Sequence, residues 1–440
     1  MSSARSLQGG GPKPAVGDRL EVQTVRVAHG GYMVARWEGF VIFVRAALPD
    51  ERVVVEVTDV KASHAFAETI EVLVPHPERR AAPCPAFHAF GCGGCDFQHA
   101  SHRMQLSMKT AVLQAALSRH GRLPAERVDE LTVEGVRPLG PETGWRSRMR
   151  FGVVRSVDGQ MLPALRAHRS SRRVAAEHCT IADRDVLTEA LRCATDARDE
   201  DVIVVAKGDD GARAQVGDPV AGERVRHRLD VEGHRIDFQV PLEGFWQAEP
   251  RLVPALMDAV LEFGGVRPGQ HWWDLYAGVG PLAAALGVRV GARVGARVPG
   301  TDAPGSVQAV EGVASAVRAA KRALHAMPWV RLHEADVREW LARSSMSSAD
   351  GRADVDSDGL SGVVLDPPRS GAGAEVVDAL AATAVPIIVY VACDPVALGR
   401  DTARLERRGY RLTRLRAWDA FAQSHHFETV AAFERVDRIS

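Results

Sequence analysis

Residues 272 to 286 read WWDLYAGVGPLAAAL, and few backbones can accommodate that order. An apolar run stops at Asp274, the chain turns over Gly278 and Gly280, and an alanine-rich helical pattern follows. A strand, a glycine turn and a helix in succession make a nucleotide-binding corner, because glycine lets the backbone approach a ligand where a side chain would collide. The third glycine of G-x-G-x-x-G is missing, which argues against a dinucleotide site. A D-x-Y-x-G-x-G turn suits S-adenosylmethionine better, since that ligand has no pyrophosphate to seat on a helix end. A plain packing turn is the competing reading of this motif taken alone.

The flanking segments supply the test. A helical pattern, PRLVPALMDAVLEF, precedes the corner, and ahead of it GFWQAEP places Gln247 in a polar gap between apolar stretches. Beyond the corner, apolar runs close at Glu311, Asp336, Asp366 and Cys393, separated by helical patterns. Such alternation predicts an open, mostly parallel, Rossmann-like α/β sheet over residues 241–440. Gly278, Gly280, Glu311, Asp336, Asp366 and Cys393 all fall at carboxyl ends of predicted strands, the edge where open α/β sheets bind ligands. An acid ending the second strand, Glu311, is placed for ribose hydroxyls. Two low-complexity stretches, near 288–305 and 344–360, read as flexible inserts.

The N-terminal half is organised differently. Residues 1–15 read as a disordered tail. Residues 16–75 carry short, alternating, β-branched runs, the signature of a small OB-like β-barrel, with Arg26, Arg36, Arg45 and Lys61 near its turns. Residues 76–240 form an α+β region that opens on CPAFHAFGCGGCDFQH, with Cys84, Cys92 and Cys95 in a C-x7-C-x2-C spacing. Cys179 is the best fourth ligand, and such a set fits tetrahedral zinc or an iron–sulfur cluster alike. Cys193, in an apparent helix, reads as an ordinary buried thiol. The arginines at 146, 148, 150, 155, 166, 169, 172 and 173 alternate with apolar positions, a surface for phosphates or simply for water.

The 440 residues carry a formal net charge of −1, so nothing global demands nucleic acid. No apolar run of about 18 residues and no secretory leader are evident, so no membrane association is expected and the expected location is cytoplasmic. There, six cysteines serve as thiols, ligands or nucleophiles rather than disulfides.

Cys393 ends an apolar strand and precedes Asp-Pro, which presents it at the mouth of the sheet. A nucleophile there must be a thiolate. An ionised Asp394 opposes that, and a cation such as Arg369 has to compensate. Glu428, opening the last apolar strand, is a candidate base, and His426 either orients it or is structural. DPPR at 366 to 369 lacks the aromatic that stacks on a base whose amino group is methylated. A thiol plus a carboxylate instead suits methylation at carbon-5 of uracil, which becomes nucleophilic once a thiolate adds to carbon-6.

Nearly the whole chain resembles the bacterial RNA uridine-5-methyltransferases with an N-terminal TRAM domain, through C-x7-C-x2-C followed by FQH, HC at 178 to 179, FWQ at 245 to 247, DLYAGVG, DPPRSG, ACDP and HxE. The resemblance implies a TRAM barrel gripping RNA, which favours Arg26, Arg36 and Lys61 as contacts. It implies a 4Fe-4S cluster on Cys84, Cys92, Cys95 and Cys179. It further implies S-adenosylmethionine held by Gln247, Tyr276, Glu311, Asp336 and Asp366, a nucleophile at Cys393 and a proton acceptor at Glu428. The glycines Gly278 and Gly280 belong to the same cofactor corner. Ribosomal RNA of the large subunit is the favoured substrate, with transfer RNA the other choice, and the enzyme is expected to be a monomer. Asp394 and Pro281 depart from the family pattern, which more often has Asn and a polar residue there. The competing functions are a non-catalytic RNA-binding or redox-sensing iron–sulfur protein, and a cytosine-5-methyltransferase.

Overall fold

The computed structural model describes residues 13–199, 201–217, 222–291, 305–350 and 359–436. Residues 1–12 of the expected tail, and the middle of both expected inserts, lie outside these. The barrel comprises β1 (Arg19–Val27), β2 (Met33–Trp37), β3 (Phe40–Arg45), β4 (Arg52–Val60) and β5 (His64–Val74). It closes in the order β1-β2-β3-β5-β4, leaving no unpaired edge. Alternation along the strands sends Val22, Met33, Ile42, Val44, Val53 and Val55 inward to fill it.

Next come α1 (His102–Arg119), α2 (Ala125–Leu131), β6 (Val136–Pro138), β7 (Arg148–Arg155), β8 (Met161–Arg166), β9 (Arg173–Ala175), α3 (Arg184–Ala194), β10 (Ile203–Gly208), β11 (Gly211–Val216), β12 (Arg224–Val231) and β13 (His234–Pro241). Strands β11-β10-β7-β8-β9 form one sheet, covered by α3. Cys193 is buried in that core, as expected. Strands β12 and β13 form a separate hairpin.

The C-terminal part runs α4 (Leu252–Gly264), β14 (His271–Leu275), α5 (Pro281–Gly291), β15 (Ser306–Glu311), α6 (Ala314–Ala323), β16 (Val330–Glu334), α7 (Val337–Asp350), β17 (Leu360–Leu365), α8 (Gly373–Ala382), β18 (Ile387–Ala392), α9 (Pro395–Arg407), β19 (Tyr410–Asp419) and β20 (Glu428–Arg435). The eight-stranded sheet runs β16-β15-β14-β17-β18-β20-β19-β6, parallel except where β20 inserts antiparallel to β18 and β19. Adjacent tryptophans show why β14 lies at its centre. Trp272 and Trp273 point to opposite faces and are buried in different apolar cores, so the strand is covered on both sides. A Cβ at Gly362 would lie 2.2 Å from the Trp272 ring, so the neighbouring strand needs glycine there. Helices α4, α5 and α6 and the β12–β13 hairpin cover one face, and α1, α7, α8 and α9 the other.

Three details differ from the sequence reading. Residues 288–291, read as the start of an insert, complete α5, with Val288 and Val290 buried. The second insert is likewise bounded by structure, α7 continuing to Asp350 and β17 beginning at Leu360. Strand β6 and helix α1, from the middle of the chain, join the C-terminal sheet and α9. No helix among the described residues is long and apolar enough to cross a membrane.

Candidate active site

Parallel register aligns the ends of three central strands. Leu275 of β14 pairs with Leu365 of β17, which pairs with Tyr390 of β18. Tyr276, Asp366 and Cys393 therefore emerge on one edge. Antiparallel pairing supplies Glu428: Ala392 of β18 lies opposite Thr429 of β20, so one step further Cys393 faces Glu428. A cleft of about 1550 Å³ opens over this edge, lined by Gln247, Tyr276, Gly278, Glu311, Asp366, Arg369, Cys393 and Glu428.

The glycine corner is tightly specified. Tyr276, Gly278 and Gly280 all have left-handed backbone, with φ of 64°, 58° and 90°. For tyrosine that conformation is uncommon and strained. A Cβ on Gly278 would meet nothing within 4 Å, so its bareness serves the open cleft rather than internal packing. Gly280 does the opposite work: a Cβ there would lie 3.1 Å from Leu324 and 3.3 Å from Ala320, against α6. Gly280 is not among the residues lining the cleft. Pro281 occupies the first position of α5, where proline's fixed φ suits a helix start.

Glu311 is held by two backbone donors, the Gly278 amide at 2.8 Å and the Val313 amide at 2.7 Å. A carboxylate has about four acceptor positions, so capacity remains for a ligand's hydroxyls. Asp336 sits apart from the cleft lining, is exposed, and accepts the Glu339 amide at 3.1 Å at the start of α7. It still acts electrostatically on Tyr276, whose hydroxyl is pushed up to about 12 by burial and then by Asp336 and Asp401.

Several acids crowd Cys393. Burial pushes its thiol up to about 12, Glu428 and Asp366 push the same way, Arg369 opposes them, and Asp394 adds the least. Asp394 is weak because it is occupied: it caps α9 through the Ala397 amide at 2.7 Å and pairs with His29 of the barrel at 2.9 Å. Asp366 is pushed up to about 7 by burial. Glu428 is raised well above the usual carboxylate range by burial and by Asp366, and its Oε1 is buried without a partner. Partly neutral carboxyls lessen the negative charge that faces the thiol.

Sequence reasoning missed three contributors. Asp274, fully buried behind the corner with neither carboxylate oxygen hydrogen-bonded, is raised far above normal by burial and by Asp366. Its signal was visible: an acid inside an apolar run. Lys109 of α1 is buried, pairs with Asp419 and donates to the His426 carbonyl at 2.8 Å, pinning the loop between β19 and β20. Asp96 fixes the same loop by accepting from the His425 amide at 2.9 Å and ring at 2.7 Å. His426 lines the cleft as a neutral ring, lowered to about 3 chiefly by burial. Arg146, read in the sequence as one of the alternating surface arginines, is instead half-buried, lining the cleft and acting electrostatically on Cys179, Cys95 and Cys92.

Cys84, Cys92, Cys95 and Cys179 line one cavity of about 280 Å³. Among the described residues, no three His, Cys, Asp or Glu groups meet at the spacing of a single metal ion. Sulfurs on one zinc would stand only about 3.8 Å apart, the tetrahedral edge for 2.3 Å bonds. The surroundings suit a larger anionic group. The Gly94 amide and Gln98 side chain donate to the Cys92 and Cys95 sulfurs at 3.4 and 3.2 Å, and two guanidinium groups, buried Arg45 and half-buried Arg146, act on Cys92. Arg45 corrects one expectation. It does not face solvent or RNA: it is buried, paired with Glu68 at 3.1 Å, and donates to the Cys92 and Cys95 carbonyls at 2.9 and 3.0 Å. The FQH tripeptide makes the same joint, with Phe97 in the barrel core, Gln98 on the Cys95 sulfur and His99 on the Ala47 carbonyl at 2.9 Å.

Comparison with known proteins accords with this geometry. A family model described as tRNA (Uracil-5-)-methyltransferase matches residues 178–436, and a TRAM domain model matches residues 13–70. An uncharacterized RNA methyltransferase of Streptomyces coelicolor is 35% identical, covering 96% of this chain and 94% of its own. A 23S rRNA (uracil(1939)-C(5))-methyltransferase of Alkalilimnicola ehrlichii is 31% identical, covering 94% and 96%. The crystal structure of Pyrococcus abyssi tRNA (uracil-54, C5)-methyltransferase with S-adenosyl-L-homocysteine shares the fold at a TM-score of 0.65 and 19% identity, covering 94% of this chain and 99% of its own. Sheet order, cleft and these matches define the class, an S-adenosylmethionine-dependent RNA methyltransferase. Within that class the chain belongs to the tRNA (uracil-5-)-methyltransferase family.

Proposed function

We propose that this enzyme methylates carbon-5 of a uridine in RNA through a covalent cysteine–uracil intermediate, and that 23S ribosomal RNA is favoured over transfer RNA as substrate. The observation that carries the reading is the facing of Cys393 and Glu428 across the β18–β20 ladder at the mouth of the cleft. The ribosomal preference is supported by the relative whose name specifies 23S rRNA. Cys393, as thiolate, adds to carbon-6 and sends the electron pair toward carbon-5. Bound S-adenosylmethionine would supply an electrophilic methyl group, which carbon-5 takes while the electron pair of the broken S–CH3 bond stays on the donor's sulfur. Glu428 then accepts the carbon-5 proton, and the returning electron pair re-forms the ring double bond and expels the Cys393 sulfur. Arg369 offsets the negative charge around the thiol. Gln247, Tyr276, Gly278, Glu311 and Asp366 hold the cofactor from the cleft wall. Gly280 and Asp336 support that wall, Gly280 by admitting α6 and Asp336 by capping α7 beside Tyr276.

Cys84, Cys92, Cys95 and Cys179 would hold a 4Fe-4S cluster, whose chemistry here is to join the barrel (16–75), the central region (76–240) and the methyltransferase part (241–440). The cysteine-lined cavity, the sulfur-directed amides and the guanidinium groups of Arg45 and Arg146 support that assignment. The enzyme acts as a monomer in the cytoplasm on this reading.

Trapping with RNA containing 5-fluorouridine tests the mechanism. Fluorine cannot leave as a proton does, so wild type should give a slower band on a denaturing gel, absent in Cys393→Ala. Equal bands in both proteins, or none with total ribosomal and transfer RNA, would overturn covalent catalysis by Cys393.

A further inference from the structure

Arg369, the cation that opposes the acids around Cys393, stands on a loop rather than on an element of the sheet. Its guanidinium acts on Cys393, Glu428 and His426 alike. The side chain is exposed, and among the described residues no hydrogen bond or ion pair holds it. Where its charge stands is therefore decided by the backbone of residues 366–372.

That backbone is seated on α9. The Gly371 amide donates to the Pro368 carbonyl at 2.8 Å, closing a turn with Arg369 in its middle. Just past the turn, the Ala372 amide donates to Asp401 Oδ2 at 2.9 Å and to the Tyr390 hydroxyl at 3.0 Å. The same hydroxyl donates to Asp401 Oδ2 at 2.7 Å. Arg400 adds a bond to the Ser370 carbonyl at 3.2 Å. Gly371 has φ of 85°, and a Cβ there would lie 2.8 Å from Asp401 Oδ2 and 3.1 Å from Ala397, so only glycine lets the turn settle onto the helix.

Asp401 is buried, and a buried carboxylate costs free energy that an apolar residue does not. The core does not call for it, since Leu398 and Leu405 of α9 already pack with the Tyr390 ring. Helix α9 also begins directly after Cys393, through its cap Asp394, and Asp401 lies about two turns further on. One helix thus carries the thiol at its start and the seat of the cation's loop within reach of it.

We propose that Asp401 is a positioning residue for the reaction: by seating the 366–372 loop it keeps the Arg369 guanidinium facing Cys393. Tyr390 orients the carboxylate that does so. With the loop unseated, the long exposed side chain turns to water, where its charge is screened. For its bearing on turnover this inference rests on the proposed role of Cys393; the seating itself does not.

Alkylation of Cys393 by iodoacetamide, read from the mass of its own peptide at a fixed pH of about 8, needs neither RNA nor S-adenosylmethionine. Seating and covalent catalysis can therefore fail separately. Asp401→Ala should slow the alkylation by at least about threefold, to the rate of Arg369→Ala. The sign discriminates: deleting an acid without moving the loop would speed the reaction, and so would a loosened fold that opens the thiol to water. Adding Asp401→Ala to Arg369→Ala should slow it no further than Arg369→Ala alone. Asp401→Asn keeps an oxygen for the Ala372 amide and should recover the rate to within twofold of wild type. Should Asp401→Ala fail to fold, Gly371→Ala takes its place, because the added Cβ displaces the turn while Asp401 stays; it should slow alkylation likewise. A rate at or above wild type in Asp401→Ala or Gly371→Ala, equal slowing in Asp401→Asn, or slowing that multiplies with that of Arg369→Ala would overturn the proposal.

Discussion

Cys393 and the cavity cysteines Cys92, Cys95 and Cys179 are all raised above the ordinary thiol range by burial, yet they stand in opposite electrostatic settings. Carboxyls surround Cys393, from Glu428, Asp366 and Asp394, with Arg369 opposing them, and the site opens on a wide cleft. Amide donors and the guanidinium groups of Arg45 and Arg146 act on the cavity set, with Asp96 the carboxylate acting on Cys95, and the space beside them is a smaller cavity of about 280 Å³. Acids can take and return protons, which a thiol needs if it is to attack and leave. Cations and amides can only stabilise permanent negative charge. On the proposed reading, one residue type serves turnover in one place and ligation in another.

The strongest way to break this contrast is Glu428→Gln. If the carboxyl takes the carbon-5 proton, methylation turnover should fall by about 10²–10⁴-fold. The covalent adduct should then accumulate even on ordinary uridine, visible as a shifted protein–RNA band. Turnover within tenfold of wild type would remove Glu428 from the mechanism.

Cys179→Ser probes the other site. It should lose iron and visible absorbance and lower the unfolding midpoint by at least about 5 °C, while Cys393 still reacts with iodoacetamide at the wild-type rate. Retained iron would sink the ligand assignment.

A subtler comparison is the alkylation rate of Cys393 at a fixed pH of about 8. The thiol is raised, so its reactive fraction grows as the value falls, about tenfold per unit. Removing the charge of Glu428 lowers the value, so Glu428→Gln should react faster; removing the cation in Arg369→Ala raises it and should slow the reaction. Rates that move in the reverse directions would refute the electrostatic account.

The smallest effect belongs to the barrel contact. His29→Ala leaves Asp394 without its partner, and alkylation of Cys393 should slow by no more than about threefold, because Asp394 still caps α9. A tenfold change would make His29 part of the site.

Much of this arrangement was legible in residue order. Period-two alternation specified the barrel, and runs buried on both faces specified a parallel sheet, because each pattern permits one way of hiding apolar area. Strand endings at Glu311, Asp366 and Cys393 pointed to one edge for the same reason. The glycines were less readable: Gly278 and Gly280 look alike in sequence, but only packing distinguishes the one facing the cleft from the one admitting α6.

Local patterning by itself determined the strand, turn and helix types, the cysteine spacing and the place of Cys393 after its strand, since those depend on neighbours along the chain. Tertiary structure alone decided that Glu428 faces Cys393 by antiparallel insertion of β20, that β6 completes a sheet begun more than a hundred residues later, and that Arg45 turns inward to the cysteine loop. Those choices depend on which distant surfaces meet, and on which charges must be neutralised once water has been excluded from between them.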